Sequence, residues 1–171
     1  MQPLEQLDLP AIDTTWQINL RAPLQLTSEL LPLLRAAADA NGDASVINVT
    51  SMHETVPAPG NVPYAMTKAA LAMYTKGAAV EWGRFGVRVN ALAPGTVRTE
   101  MMGGHDIGEA HFEKLARRIP LERMGEVEDM AGPALFLAST ASRYVTGSTL
   151  TADGGSQHNL MRYGDEWTLP L

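Results

Sequence analysis

Ala44-Ser45-Val46-Ile47-Asn48-Val49-Thr50 is a β-branched run set between the turn signal Asn41-Gly42 and a loop, residues 51–63, carrying Pro57, Pro59, Gly60 and Pro63. It reads as a strand, and its apolar Val46, Ile47 and Val49 suit a sheet covered on both faces. Downstream, Val87-Arg88-Val89-Asn90-Ala91-Leu92-Ala93 follows Gly86 and is stopped by Pro94-Gly95, which gives a second buried strand. Thr149-Leu150-Thr151-Ala152, closed by Asp153-Gly154-Gly155, gives a short third one.

Helical segments separate these strands. Residues 64–83 are rich in alanine and methionine, and the small Ala65, Ala69, Ala72, Ala78 and Ala79 would let another element approach closely. A short helix is expected near 109–118 inside the Met- and Gly-containing loop 99–120. Another is expected over 127–139, with Glu126, Glu128 and Asp129 near its positive N-terminal dipole. Upstream, residues 10–38 predict a bent helix. Pro10 suits a first turn, and Ile12, Trp16, Leu20, Leu24, Leu30, Leu31 and Leu34 fall at near-helical spacings. Pro23 removes a backbone donor and crowds the preceding turn, so the bend is expected just after Asn19. Strand and helix alternate, which implies an α/β parallel sheet with right-handed crossovers. No linker divides the 171 residues, so a single domain is expected, ending in an irregular tail, 156–171, that holds Tyr163 and Trp167.

The bulk properties narrow the function classes. With 45% hydrophobic and 19% charged residues the chain is globular in composition. A net charge of -6 offers no basic face for a nucleic acid. Without cysteine there is neither a disulfide framework nor a thiolate metal site. The acidic opening lacks the basic region of a secretory signal, and no apolar run approaches the roughly 20 residues of a membrane helix. A cytoplasmic protein is the expectation.

Tyr64-Ala65-Met66-Thr67-Lys68 places a phenol and an ammonium four residues apart on one helix face. Moving a proton to or from a carbonyl oxygen needs a group that titrates near working pH. A free phenol, at about 10, is too weak an acid, and a neighbouring cation favours its ionised form. Alone, the pair is a spacing that chance supplies. Ser51 adds a hydroxyl at the exit of a strand, where α/β sheets place their ligands. Pro94-Gly95-Thr96-Val97-Arg98-Thr99 adds free backbone groups at a second strand exit.

Joined together, Ile47-Asn48-Val49-Thr50-Ser51, the Tyr64-x-x-x-Lys68 pair and Gly86 to Gly95 resemble the classical short-chain dehydrogenase/reductase family. Asn19, within Trp16-Gln17-Ile18-Asn19-Leu20, is similar to the asparagine of that family's bent helix, and Gly147 to Gly155 resembles its last strand and closing turn. The resemblance runs from about residue 10 to 155. A weaker likeness, carried by Ser51-Met52-His53-Glu54 and the following loop, is to the glucose 1-dehydrogenase branch.

The resemblance implies a Rossmann-type doubly wound parallel sheet and hydride transfer between NAD or NADP and a secondary alcohol or ketone, a sugar or polyol among the candidates. It implies Tyr64 as acid/base, and Lys68 as its cation and a ligand of the nicotinamide ribose. Ser51 would orient the substrate oxygen, and Asn19 would hold a water that links Lys68 to solvent. Pro94, Gly95, Val97 and Thr99 would meet the cofactor's carboxamide. His53, His105, His111 and His158 have no metal-ligand spacing and read as surface or loop residues. Met66, Met73, Met101, Met102 and Met130 read as packing residues, although the family's substrate loop would put Met101 and Met102 at the pocket.

Part of the family pattern is missing. No G-x-x-x-G-x-G for a pyrophosphate occurs, no Asn-Ala-Gly turn occurs, and four of the family's seven strands, ordered 3-2-1-4, have no counterpart. The sheet is therefore expected to be incomplete, with about three C-terminal strands and the first as an apolar open edge. The expectation is a piece of a longer or mis-started enzyme. A homo-oligomer, dimer or tetramer, is implied. The alternative is a non-catalytic dimerisation module acting through helices 10–38 and 64–83.

Overall fold

The computed structural model describes residues 3–99 and 109–159. Helix α1 (Leu9–Trp16) starts where the Asp8 carboxylate accepts the Ala11 N–H, with Pro10 in the first turn. The chain then widens into a π turn over Gln17–Arg21 before α2 (Ala22–Asn41). The bend expected after Asn19 is this turn. Pro23 has no N–H to give the carbonyl four residues back, that of Asn19, and the ladder lengthens to Ala22 N–H donating to the Gln17 carbonyl. Pro32 lies inside α2 without ending it. Gly42 ends α2 with φ 78° and an N–H to the Ala38 carbonyl at 2.7 Å.

Three parallel strands, β1 (Ala44–Val49), β2 (Val87–Pro94) and β3 (Thr149–Ala152), form one sheet in that order. Ala44 faces Val87 and Val49 faces Leu92 on one side of β2; Ala91 faces Thr149 and Pro94 faces Ala152 on the other. Helix α3 (Val62–Trp82) connects β1 to β2, beginning two residues before the expected start with Pro63 in its first turn. Between β2 and β3 lie α4 (Glu109–Ala116) and α5 (Ala131–Ala138). The helix expected over 127–139 is divided: Val127–Met130 is a 3-10 turn, because Glu126 and Asp129 cap each other's backbone and tighten the entry.

The core forms where Ala38, Ala78, Ala79 and Trp82 close over Ala44, Val87 and Val89. Small residues on α3 serve this approach as expected, with Ala65, Ala72, Ala78 and Ala79 buried, but Ala69 is exposed. Three further expectations are corrected. Val49 is 54% exposed, since β1 has a paired neighbour on one side only among the described residues. Trp16 and Leu30 are exposed while Ile12, Leu20, Leu24, Leu31 and Leu34 are buried or half-buried. Met66 and Met73 lie on the outer side of α3. Ser156–His158 form a 3-10 turn, so the tail is ordered at its start. Met101, Met102, His105, Tyr163 and Trp167 lie outside the described residues. No helix among the described residues is long and apolar enough to cross a membrane.

Two buried polar residues lock β2 to its surroundings. Asn90, fully buried, donates to the Val145 carbonyl at 2.8 Å and accepts the Ser148 N–H at 3.1 Å, which fixes the approach to β3. Arg88, 6% exposed, makes a bidentate pair with Asp43 at 2.8 and 2.9 Å and also donates to the Leu137 carbonyl and the Ser142 hydroxyl. These hydrogen bonds hold the Asp43 carboxyl below its ordinary value.

Asp43→Asn leaves the buried guanidinium without its counter-charge. An exposed pair is worth about 1 kcal/mol and losing one partner of a fully buried pair costs about 3–5, so this half-buried carboxylate sets a loss of about 2–3 kcal/mol. Because the folded-state value of Asp43 is depressed, its contribution is complete above the unfolded value of about 3.9 and disappears as pH falls through the lower folded one. Urea unfolding of wild type and Asp43→Asn therefore shows a gap at pH 7 that closes as pH falls below the ordinary carboxylate range.

Candidate active site

The site grows from the carboxyl end of β1. Thr50 holds the exit by giving both its N–H, at 2.8 Å, and its hydroxyl, at 3.3 Å, to the Leu92 carbonyl of β2. Ser51 follows, 8% exposed, and its Oγ accepts the His53 N–H at 3.2 Å. One Oγ lone pair is thereby occupied, and the hydroxyl hydrogen stays free to be donated. Met52–Glu54 form a 3-10 turn that packs on α3.

On α3 the first turn presents Tyr64 and the next presents Lys68, whose Nζ lies 5.6 Å from the centre of the Tyr64 ring. Lys68 also donates to the Val49 carbonyl at 2.9 Å, tying helix to strand end. Burial pushes the Lys68 ammonium down from its ordinary value. Thr67, 1% exposed, gives its hydroxyl to the Tyr64 carbonyl at 2.7 Å and accepts the Asn19 amide at 3.4 Å. Asn19 is thus brought to α3 from the π turn, and its side chain bonds Thr67 rather than Lys68. Among the described residues the Tyr64 hydroxyl has no hydrogen-bond partner.

The exit of β2 is built for close approach. Gly95 donates to the Ala152 carbonyl at 2.9 Å, and a Cβ there would lie 2.6 Å from the Asp153 Cα, so only glycine fits. Val97 is half-buried and bridges to Gly125, while Thr99 is exposed. Asp153 fixes the opposing turn by accepting the Gly155 and Gln157 N–H groups. Beside this segment lies a cavity of about 530 Å³ whose lining includes Thr96, Leu121, Arg123, Asp129, Met130 and Asp153. Its charges are spoken for. Arg123 grips Asp129 at 2.6 and 2.9 Å and, with the Glu126 N–H, brings the Asp129 carboxyl down to about 2. Ser51, Tyr64 and Lys68 do not line this cavity.

Sequence reasoning placed Ser51, Tyr64 and Lys68 at one strand–helix junction and Pro94, Gly95 and Val97 at the next strand exit, and the structure places them so. It missed two participants. Thr67 was visible only as a hydroxyl beside Lys68. His53, expected on the surface or in a loop, is half-buried with its ring edge-on to Tyr64, 6.4 Å between centroids. Its spacing of two residues from Ser51 was the available signal. No group of three or more His, Asp or Glu that could hold a metal occurs among the described residues.

Comparison with known proteins follows the same residues. Positions 1–157 match the family described as enoyl-(acyl carrier protein) reductase. Gluconate 5-dehydrogenase of Gluconobacter oxydans is 41% identical over 114 residues, 67% of this chain and 44% of that protein. A-factor type gamma-butyrolactone 1'-reductase of Streptomyces virginiae is 36% identical over 154 residues, 90% of this chain and 59% of that protein. Among solved structures, a gluconate 5-dehydrogenase from Burkholderia cenocepacia in complex with NADP and tartrate superposes with a TM-score of 0.83 at 33% identity, covering 91% of this chain and 60% of that one. The chain spans about half the length of the curated relatives it matches. With the family match over nearly its whole length and the three-stranded Rossmann-type sheet beneath it, the chain belongs to the short-chain dehydrogenase/reductase family of oxidoreductases.

Proposed function

We propose that this chain carries the acid/base centre of an NAD(P)-linked interconversion of a secondary alcohol and a ketone, with sugars or polyols as the substrate class. The observation that carries the reading is the approach of Lys68 Nζ to 5.6 Å from the centre of the Tyr64 ring on one face of α3, against which the turn that follows Ser51 packs. Relatives named for gluconate, glucose and L-rhamnose support the substrate class.

A nicotinamide cofactor, when bound, supplies the hydride acceptor or donor. Everything else falls to the protein. Ser51 donates a hydrogen bond to the substrate oxygen and holds it beside Tyr64. Tyr64 takes the hydroxyl proton in oxidation and returns it in reduction. Lys68 keeps a positive charge next to the phenol and binds the nicotinamide ribose, and Asn19 steadies the α3 side of the site through Thr67. Pro94, Gly95, Val97 and Thr99 take the carboxamide at the β2 exit. These residues fit the nicotinamide end of NAD or NADP: two strand exits stand side by side in a parallel sheet, and Gly95 leaves the backbone uncovered. The glycine-rich element for a pyrophosphate is not in the sequence.

The test is alcohol-dependent reduction of NAD+ and NADP+ across a polyol panel, by this chain and by a chimera in which a relative's glycine-rich segment precedes it. Tyr64→Phe lowers turnover by about a hundredfold or more, the scale of lost acid/base catalysis. Turnover unchanged in Tyr64→Phe, or absent from both proteins, removes the reading.

A specific observation also favours self-association through the long helices, which serves a homo-oligomeric enzyme and a non-catalytic module alike. Leu26 and Leu33 are exposed on α2, and Met66, Met73 and Val80 on α3. Steps of seven residues return to nearly the same helical face, so each set is a stripe. Sedimentation of the chain shows a dimer or tetramer, and Met73→Glu with Val80→Glu shifts it to monomer. A wild type that is strictly monomeric at every concentration ends this reading.

A further inference from the structure

Among the described residues, strand β1 pairs with β2 on one side and with no strand on the other. Its Ala44 N–H goes to the Gly86 carbonyl at 3.2 Å and the Thr50 N–H beyond its end goes to the Leu92 carbonyl at 2.8 Å. Peptide groups alternate in direction along an extended chain, so the even-numbered residues face β2. Ser45, Ile47 and Val49 therefore turn their N–H and C=O groups to the open side. The last of these groups has found a substitute partner: the Val49 carbonyl accepts the Lys68 ammonium at 2.9 Å.

Edges left to solvent are blunted by charge, proline, a bulge or shortness. The outer edge strand β3 is short, at four residues. Strand β1 has six, Ala44-Ser45-Val46-Ile47-Asn48-Val49, with neither a charge nor a proline. Helices cover both of its faces. On one, Ala44 and Val46 pack with α2 and Asn48 bonds Thr75 of α3; on the other, the Ser45 hydroxyl donates to the Leu137 carbonyl of α5. The edge is thus the mouth of a slot between two helical layers. Neighbouring strands lie about 4.8 Å apart, whereas a helix with its side chains is about 10 Å across. A bare strand enters such a slot and a helix does not. A second copy of the chain would bring its own α2 and α5 over its own β1, against the same two layers.

We propose that the open edge of β1 is the docking surface for one extended strand of a second polypeptide, and that an N–H of this strand takes the Val49 carbonyl from Lys68. Main-chain hydrogen bonds to Ser45, Ile47 and Val49 hold the strand, as in other cases of strand addition to a free edge. Its side chains lie beside the half-buried Val46 and Ile47 and the exposed Val49, so the occupant is uncharged and rich in β-branched residues. Register fixes the incoming N–H on the oxygen, while Lys68 leaves readily on its flexible four-carbon stem.

The probe is the capped peptide Lys-Val-Ile-Val-Thr-Val-Lys, with the same peptide N-methylated at alternate residues as the control that lacks one row of donors. Each is titrated into the full chain. NMR follows amide hydrogen exchange and the scalar coupling across the hydrogen bond from Lys68 Nζ to the Val49 carbonyl. In the chain alone the Val46, Asn48 and Thr50 amides exchange slowly and those of Ser45, Ile47 and Val49 quickly. At saturation with the peptide the second set slows by about tenfold or more and the coupling disappears, while the N-methylated control changes neither. The inference is overturned by open-side amides indifferent to the peptide, by a coupling that persists at saturation, or by an equal effect of the control. It is overturned too by protection in the chain alone that grows with its concentration, which assigns the edge to a second copy. None of these signals depends on turnover, so they decide the docking surface whether or not Tyr64 acts as acid/base.

Discussion

Strand β2 is buried along nearly its whole length, yet it carries an arginine and an asparagine in that interior. Burying such groups is tolerable only when every polar atom finds a partner, and this requirement organises the molecule. Arg88 finds Asp43 at the start of β1 and the carbonyls at the end of α5; Asn90 finds the loop that leads into β3. Three segments distant from it in sequence are thereby held to one strand. The two strand exits that bear Ser51 and Gly95 then have fixed positions, since register between β1, β2 and β3 leaves no freedom along the strands.

Within that frame the proposed site is assembled mostly by local bonds. Ser51 is oriented by the N–H two residues on and His53 by the carbonyl three residues on, while the Thr67 hydroxyl bonds the backbone carbonyl of Tyr64. The bonds with longer reach are few: Lys68 to the Val49 carbonyl and Asn19 to Thr67. The first is informative about charge. Taking an ammonium partly out of water lowers its affinity for the proton, and a single carbonyl dipole compensates less than bulk water does. Lys68 is therefore a cation held at some cost beside a phenol, an arrangement that a surface helix has no need of.

Legibility from sequence followed the physics of each feature. The strands were readable because β-branched runs between turn residues have few alternatives, and the bend was readable because proline removes a specific N–H. The π turn was not, since a missing donor says that the ladder breaks without saying how the backbone repairs it. Burial of individual side chains was the weakest reading. Val49, Trp16, Met66 and Met73 obey the expected periods and still face outward, because periodicity identifies a face and not what lies against it. Among site residues, Ser51, Tyr64 and Lys68 were legible through side-chain chemistry at fixed spacing. Thr67 and His53 were not, because their partners are the Tyr64 and Val56 carbonyls, which every residue possesses and no sequence pattern marks.

That contrast also separates two requirements of a dinucleotide enzyme. In the proposed function, orienting a substrate oxygen falls to hydroxyls and an ammonium at one strand–helix junction, and contacts among residues 19–68 place them. Retaining a dinucleotide needs backbone N–H groups converging on a pyrophosphate at a helix N-terminus, and the sequence has no glycine-rich turn to provide them. On that reading the first requirement is local to one strand–helix junction. The second depends on strand order across the sheet, and among the described residues β1 is an open edge with Val49 exposed at its end. In the proposed function, proton chemistry and cofactor affinity fall to different parts of the sheet, and the strand exit after Val49 is where the two meet.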